Sequence, residues 1–326
     1  MRWLAALALL ILSPLIAEYL LGSMPVAMLP ILPVMMLMYG AGALLIREIV
    51  RRTGKGWPTL ILLATAYGFV EEGLVTQSLF NPNYMHLRLL DFGFLPALGT
   101  SPVWAIYVLG LHIVWSIATP IGLVECLFPA RRTTPWLGPV STGVVGLLYL
   151  AGLGLVATFT YKSLPFMAAP AQIIGVLVIV AALIAAALAW PTKAGMPGPA
   201  TAAKAPHPLG LFLTSFVPGS LFVATEYYGI HWLRTPWPGA VALMAGWELL
   251  ALALMVVLTR GRAWTNAQRF ALMIGAFGVY VWFGFPTDLV LHGRADLPGH
   301  TVLVAVMAIV ALVAGVKAIR FKEPSV

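Results

Sequence analysis

The sequence is short of charge and contains a single cysteine. Charged side chains make up 9% of its 326 residues, whereas soluble domains carry about 25%. One cysteine, Cys126, allows neither an internal disulfide nor a paired-cysteine metal site, and we expect it to be a small buried hydrophobe. The chain also lacks a nucleotide-binding P-loop and a dinucleotide-binding glycine fingerprint. These absences argue against primary pumps and redox enzymes, and we expect no cofactor.

What the sequence has in excess is hydrophobic residues, at 61% with a mean hydropathy of +0.95. A bilayer suits this composition, and a membrane-spanning helix needs about 20 apolar residues. The first apolar run resembles a signal peptide but extends to Leu21 without a clear cleavage site, so we interpret it as a transmembrane helix. The predicted fold class is an all-α, polytopic transmembrane bundle of about ten helices. The predicted spans are residues 3–22, 26–47, 58–79, 103–127, 138–160, 169–190, 209–228, 239–258, 269–289 and 300–318.

The distribution of basic residues predicts the orientation. If the N-terminus lies in the cytoplasm, fifteen of the nineteen Lys and Arg residues fall in cytoplasmic segments, as the positive-inside rule requires. An even number of helices then places both termini in the cytoplasm. The net charge of +8 therefore reflects membrane orientation, and no basic stripe interleaved with aromatic residues indicates nucleic-acid binding. The predicted location is a cell membrane, specifically a bacterial plasma membrane, crossed several times.

A Pro-, Gly- and Ala-rich stretch, residues 191–208, has the composition of a linker. It divides the sequence into a six-helix membrane domain, residues 1–190, and a four-helix membrane domain, residues 209–326. Short words repeat across it, at residues 17–19 and 225–227, and again at 52–57 and 259–264. Two interpretations remain open: helices 7–10 are a degenerate parallel repeat of helices 1–4, or the words match by chance.

Two adjacent carboxylates, Glu71 and Glu72, interrupt the third apolar stretch. An acid inside the bilayer costs about 2.5 kcal/mol or more, so it indicates function by default. At 1.5 Å per helical residue, Glu71 lies roughly 20 Å above the start of its span, and His112 on the next helix lies roughly 14 Å below the opposite edge. Both residues then lie at similar depth, toward the outer side of a bilayer core about 30 Å thick. The two helices are consecutive and antiparallel, so these side chains can be neighbours.

Further polar residues are expected around this site. Thr76 shares a face with Glu72 on the third helix, and Ser116 shares a face with His112 on the fourth. Polar groups on one stripe point toward protein or a water-filled cavity rather than toward lipid. The sequence predicts a polar cavity open to, or just beneath, the outer surface. Its remaining supporting residues are expected to be Gln77, Glu18, Glu226, Asp288 and His292.

Each acid also has a plain structural interpretation. Glu18 and Glu226 can reach the outer interface or cap neighbouring helices, and Glu125 can form an interfacial salt bridge with the arginines that follow it. Glu48, which lies among three arginines, is expected to be a solvated cytoplasmic charge. The acid pair and the histidine can likewise form a buried network that only fixes helix packing.

The acid pair could also do chemistry. Two adjacent carboxylates in a low-dielectric site cannot both ionise cheaply, so we expect one of them to be protonated at neutral pH. The ionised one can activate a water as general base, while the protonated one or His112 donates to a leaving group or an oxyanion. We expect no metal, because the sequence lacks HExxH spacing and adjacent helical residues point about 100° apart.

Two short motifs resemble those of a known family. The segment Glu71-Glu72-Gly73-Leu74-Val75-Thr76 is similar to an EExxxR motif, with Thr76 at the Arg position, and residues 108–112 are similar to an FxxxH motif, with Val108 at the Phe position. These motifs belong to the CAAX-protease and bacteriocin-processing family of glutamate-type intramembrane peptidases. The resemblance is confined to the third and fourth helices. It implies an intramembrane hydrolase in which Glu71, Glu72 and His112 activate water and stabilise the transition state.

Two other function classes remain open. A proton- or cation-coupled secondary transporter also suits a ten-helix bundle with buried acids and a parallel repeat. A non-catalytic membrane scaffold needs neither chemistry nor flux. In every case the lipid bilayer surrounds the protein, the expected substrate is a membrane-embedded peptide, a small molecule or an ion, and no nucleic acid is expected.

Overall fold

The computed structural model describes residues 2–192, 206–230, 233–259 and 264–321. In this part of the chain ten helices are long and apolar enough to cross a membrane. They are α1 (Arg2–Leu20), α2 (Val26–Arg52), α3 (Trp57–Val75), α4 (Pro102–Leu127), α5 (Pro139–Ser163), α6 (Pro170–Ala189), α7 (Pro208–Ile230), α8 (Trp237–Leu258), α9 (Asn266–His292) and α10 (Leu297–Arg320). Among these residues the only β-pairing is an isolated bridge between Leu95 and Thr100. The prediction of an all-α bundle of ten helices is confirmed, and the side on which the termini lie stays a prediction.

Helix α4 is the most enclosed of the ten helices. In the most apolar stretch of α4, 78% of the residues are buried within the protein. The corresponding shares are 17% for α5, 11% for α6 and 6% for α8. Helices α1, α3, α9 and α10 all pack against α4, so side chains of α4 reach the interior of the bundle. The outer faces of α5, α6 and α8 remain apolar and exposed, as lipid-facing helices require. Residues 193–205 of the predicted linker lie outside the described residues, and the division into two domains stays a prediction.

Helix α3 ends at Val75, rather than at residue 79 as the apolar pattern indicates. The amide of Thr76 donates to the carbonyl oxygen of Glu71 at 2.8 Å, and the Thr76 hydroxyl oxygen lies 3.0 Å from the same carbonyl oxygen. Gln77 then adopts a left-handed backbone with φ 57°, which a right-handed helix does not accommodate. The chain therefore leaves the helix directly after the acid pair.

At the end of α2 that we predict to be cytoplasmic, Arg47 and Glu48 are fully buried. The expectation that Glu48 is solvated is wrong, because the segment after α4 folds back over this helix end. Glu48 accepts hydrogen bonds from the amides of Trp136 and Leu137, at 2.7 and 3.2 Å. The Arg47 guanidinium lies 3.3 Å from the centre of a Trp136 ring and donates to three carbonyl oxygens of the same segment. These contacts join α2 to the connection between α4 and α5.

Glu125 forms a buried salt bridge at the same level, but not with the partners that the sequence suggests. Its Oε1 accepts from Arg47 Nε at 3.0 Å and from Arg51 Nε at 2.9 Å, and its Oε2 accepts from Arg51 Nη2 at 2.7 Å. The two arginines after α4 contribute backbone carbonyls to Arg47 instead. The neighbouring Cys126 is a buried free thiol, as expected.

Candidate functional site

The acid pair and His112 each begin a stretch of widened, π-helical hydrogen bonding. On α3 this stretch covers Glu71–Val75, and on α4 it covers His112–Ala118. Such turns change the direction of neighbouring side chains and are frequent at functional sites. The two helices approach closely one turn earlier, where a Cβ on Gly68 would lie 3.3 Å from the Cβ of His112. The local backbone therefore brings the acid pair and the imidazole to one place.

His112 lies between the two carboxylates. Its Nε2 is 2.7 Å from Glu72 Oε1, and its Nδ1 is 3.3 Å from Glu71 Oε2. Its Nδ1 is also 3.2 Å from the hydroxyl of Ser116. All four residues are buried. The prediction that Glu71, Glu72 and His112 meet, with Ser116 beside them, agrees with this geometry.

The two carboxylates have different surroundings. Glu72 Oε2 accepts hydrogen bonds from the hydroxyls of Thr76, at 2.9 Å, and of Ser78. The Ser78 hydroxyl in turn accepts from the indole of Trp104 at 3.0 Å. Glu71 has no side-chain hydrogen bond in the part of the chain described above, and its Oε2 is completely buried. Glu72 is therefore held in place, whereas Glu71 has free acceptor capacity.

Aromatic rings enclose the histidine. The ring of Tyr39 stacks on that of His112 at 6.1 Å and 23°, and the ring of Tyr67 meets it edge-on at 6.0 Å and 62°. The Tyr39 hydroxyl donates to Glu18 Oε1, and Ser23 donates to Glu18 Oε2 at 2.6 Å. Glu18 is thus turned inward and linked to the site through Tyr39, rather than extended to the interface.

The other supporting residues lie outside this cluster. Gln77 accepts from the Ala168 amide at 2.7 Å, in the connection between α5 and α6. The Nε2 of His292 is 3.1 Å from the Ser23 carbonyl oxygen. Asp288 is fully buried, and within the described ranges neither of its oxygens has a hydrogen-bond partner. Glu226 forms no ion pair with any described residue. These predicted supporting residues therefore do not form one continuous site with Glu71, Glu72 and His112.

The predicted site lacks Ser78 and Trp104, which hold Glu72, and the two tyrosines whose rings meet His112. Tyr67 precedes Glu71 by four positions, so helical periodicity places both on one face of α3, and that signal was available. Nothing in the local sequence indicates that Tyr39, on α2, stacks on a histidine of α4. Such contacts between separate helices follow from packing and leave no trace in hydropathy.

A cavity of about 400 Å³ adjoins the cluster at Thr76. Its walls come from the end of α3, from α5 and α6, and from the connection between them, and most of the lining side chains are apolar. Thr76 and Gln77 are polar residues at its α3 wall. This cavity is mainly apolar, with polar side chains from α5 as well as at the α3 end beside Glu72, and the polar cavity that the sequence suggests stays a prediction.

The donor set could hold a divalent metal ion, since one ligand atom from each of Glu71, Glu72 and His112 lies within 4.8 Å of the others. Although adjacent residues of a regular helix point about 100° apart, both carboxylates reach the same imidazole here. They approach opposite nitrogens of the ring, however, and a metal would take only one of these nitrogens. The arrangement therefore fits an imidazole bridging two carboxylates better than it fits a metal centre.

Comparison with known proteins places the chain, rather than its site, in a family. No curated protein and no solved structure matches the chain. Nothing in these comparisons bears on the peptidase resemblance, which stays a prediction. Residues 7–323, nearly the whole chain, match the model of a family described as an uncharacterized membrane protein family. The chain is an integral, multi-pass membrane protein, and it belongs to that family.

Proposed function

We propose that the protein is an intramembrane hydrolase in which Glu71 activates water. One observation carries this proposal: His112 lies between a carboxylate fixed by two hydroxyl groups and a carboxylate to which no side chain of the described residues donates a hydrogen bond. A base needs free acceptor capacity toward a water, and the group that orients its partner needs to be rigid. Glu71 has the first property and Glu72 has the second.

The proposed step is hydrolysis of an ester or amide bond. A water beside Glu71 gives a proton to this carboxylate while the water oxygen attacks the carbonyl carbon of the substrate. The carbon becomes tetrahedral, and the former carbonyl oxygen becomes an oxyanion. When the intermediate collapses, the bond to the leaving oxygen or nitrogen breaks and the leaving group takes that proton, directly or through His112. Glu72 holds the imidazole through Nε2, so that Nδ1 faces the reacting side. The products are a carboxylic acid and an alcohol or amine.

The apolar cavity supports a substrate that arrives from the bilayer. Part of its wall is formed by helices α5 and α6, in which only 17% and 11% of the most apolar stretch is buried within the protein. Its polar end contains Thr76, which donates to Glu72 at 2.9 Å. A membrane-embedded peptide or a small amphiphilic ester suits such a cavity, because ligand sites are mostly apolar with a few polar groups. The motif resemblance to glutamate-type intramembrane peptidases agrees with this substrate class.

Turnover by purified protein tests the proposal. In detergent, a quenched-fluorescent peptide library and p-nitrophenyl octanoate are the probes, and we expect Glu71→Gln to abolish cleavage of whichever probe the wild type turns over. Glu226→Gln is the matched control, because it also neutralises an acid within the membrane-spanning helices but lies outside the site. Absence of turnover in the wild type, or full turnover in Glu71→Gln, rejects a hydrolase that works through this residue.

A proton- or cation-coupled transporter is the second candidate, and one observation favours it. Asp288 is fully buried without a hydrogen-bond partner among the described residues, and neither Glu226 nor Glu248 forms an ion pair there. Acids that packing does not use can mark an ion path. Proteoliposomes with an internal pH dye would show flux that Asp288→Asn abolishes if this candidate holds. If the protein shows neither turnover nor flux, the remaining function class is the non-catalytic scaffold, in which the acids only fix helix packing.

A further inference from the structure

Tyr67 has a hydroxyl group that the packing does not use. The residue is 4% exposed, and its hydroxyl has no hydrogen-bond partner among the described residues. Buried tyrosine hydroxyls usually find such a partner. Tyr67 lies one helical turn before Glu71, on the same face of α3. The Tyr67 hydroxyl, an unused donor among the described residues, therefore lies on the face of α3 that carries Glu71, whose Oε2 accepts no hydrogen bond in this part of the chain and lies 3.3 Å from the imidazole Nδ1.

The ring of Tyr67 is held on several sides. It packs at 6.1 Å from the ring of Tyr39, at 6.2 Å from that of Tyr149 and at 6.0 Å from that of His112. A Cβ on Gly42 of α2 would lie 2.6 Å from its Cε2. Gly42 is therefore required where α2 crosses this ring, and any larger residue would displace it. A hydroxyl on a ring fixed in this way has a defined position.

A fixed, unpaired donor beside a general base has a specific use in hydrolysis. The carbonyl oxygen becomes an oxyanion when water adds, and donors already aimed at it stabilise the transition state without reorganisation. Tyr67 lies on the face of α3 that carries Glu71, and its ring meets the imidazole that Glu71 Oε2 contacts at 3.3 Å. A carbonyl carbon attacked by the water beside Glu71 would bring its oxygen within the reach of this hydroxyl.

We propose that Tyr67 is a catalytic residue whose hydroxyl donates a hydrogen bond to the oxyanion of the tetrahedral intermediate. The inference rests on the proposed hydrolase and adds its missing electrophilic group. Water addition places the negative charge on the former carbonyl oxygen, the Tyr67 hydroxyl shares its proton without releasing it, and collapse restores the carbonyl and the free hydroxyl. His112 and Glu71 then carry the proton transfers alone.

The test compares Tyr67→Phe with Tyr149→Phe, on the probe that the wild type cleaves. Both substitutions remove one hydroxyl from stacked tyrosines, but only Tyr67 lies against the imidazole. We expect Tyr67→Phe to lower kcat by about 10²–10³-fold, the loss typical of one oxyanion donor, with little change in KM. Tyr149→Phe is expected to keep the wild-type kcat. Thermal unfolding should be unchanged in Tyr67→Phe, because the Tyr67 hydroxyl has no hydrogen-bond partner to lose in the described part of the chain.

Two outcomes distinguish a failure of the role of Tyr67 from a failure of the proposed hydrolase on which that role rests. Wild-type turnover together with full turnover in Tyr67→Phe overturns the role of Tyr67 and leaves the hydrolase intact. A wild type without turnover overturns both. Incorporation of 3-fluorotyrosine at position 67 supplies a probe that preserves packing, and a purely structural role predicts no change in kcat or in its pH profile. A shift of the pH profile supports the hydrogen-bond role.

Discussion

Glu72 Oε1 lies 2.7 Å from His112 Nε2, although the two residues are 40 positions apart and lie on different helices. The contact depends on a fixed carboxylate, because Thr76 and Ser78 donate to its other oxygen. Glu71, the adjacent residue, contacts the same imidazole without this support. Of these two neighbouring acids of one helix, Glu72 is therefore held rigidly against the imidazole, and Glu71 keeps acceptor capacity for another group.

Replacement of Thr76 by valine tests how firmly Glu72 is held. The substitution keeps the shape of the side chain and removes the donor at 2.9 Å. Loss of a hydrogen bond to a buried carboxylate costs about 1–3 kcal/mol, so we expect the free energy of unfolding in detergent to fall by this amount. Thr65→Val on the same helix is the control, since among the described residues the Thr65 hydroxyl bonds only to the Ile61 carbonyl one turn earlier. Equal effects of the two substitutions would show that Thr76 has no special role.

Neutralisation of the two acids should change the stability of the protein in opposite directions. Glu72→Gln removes an acceptor that two hydroxyls and the imidazole share, so we expect a lower Tm. Glu71→Gln removes a buried carboxylate that contacts the imidazole Nδ1 at 3.3 Å but, among the described residues, lacks the two hydroxyl donors that hold Glu72, so we expect stability to rise by about 0.5–2 kcal/mol, as is common when a functional group is replaced. Parallel thermal unfolding of both variants measures this difference. A fall of Tm in both variants would mean that Glu71 also has a structural role.

A third prediction concerns the buried cluster at the far end of α2. Arg47 is fully buried, pairs with Glu48 at 3.2 Å and Glu125 at 3.0 Å, and stacks on Trp136. Removal of one partner from a buried ion pair typically costs about 3–5 kcal/mol, because it leaves uncompensated charge. We therefore expect Arg47→Met to unfold at much lower denaturant concentration than the wild type.

Arg88 provides the matched control for that substitution. It pairs with Asp91 at 2.6 Å, but both side chains are largely exposed, and the carboxylate raises the pKa of the Arg88 guanidinium. Exposed ion pairs contribute little to stability, so Arg88→Met should leave the unfolding curve unchanged. Comparable losses in both variants would contradict the distinction between the two pairs.

The helices and the depth of the acid pair can be predicted from the sequence, whereas the contacts between separate helices cannot. Hydropathy records transfer into lipid, so it defines the ten helices, and counting residues along α3 and α4 places Glu71 and His112 at one depth. Burial of Glu48 depends on the segment around Trp136 folding back over α2, which no local pattern encodes. The convergence of both acids on one imidazole depends on the widened turn at Glu71–Val75, and regular helical geometry predicts the opposite.

Backbone contact between α1 and α9 gives a fourth prediction. Gly22 has φ +77°, and a Cβ there would lie 2.6 Å from the carbonyl oxygen of Gly284 and 2.8 Å from the Cβ of Asp288. Gly54 has a similar φ of +64° with no atom within 4 Å of such a Cβ. Gly54→Ala therefore measures the cost of the left-handed conformation alone, about 1–2 kcal/mol.

Gly22→Ala adds steric overlap to that conformational cost. We expect it to lower the free energy of unfolding clearly more than Gly54→Ala does, because the atoms it meets include backbone that cannot rotate away. Chemical unfolding of both variants in the same detergent compares the two costs directly. Equal losses would show that α1 and α9 can separate at this point without penalty.

The last prediction separates the cavity from the lipid-facing surface beside it. Ile173 and Ile174 are consecutive residues of α6, but Ile173 lines the cavity next to Thr76, whereas Ile174 is 60% exposed. Tryptophan at Ile173 fills space that a substrate needs, so on the hydrolase proposal Ile173→Trp should lower kcat/KM at least about 10-fold, equivalent to about 1.4 kcal/mol of transition-state binding. Ile174→Trp adds the same indole toward lipid, where tryptophan is tolerated, and should retain wild-type turnover. If both variants retain it, the substrate does not pass through this cavity, and the route to Glu71 must lie elsewhere in the bundle.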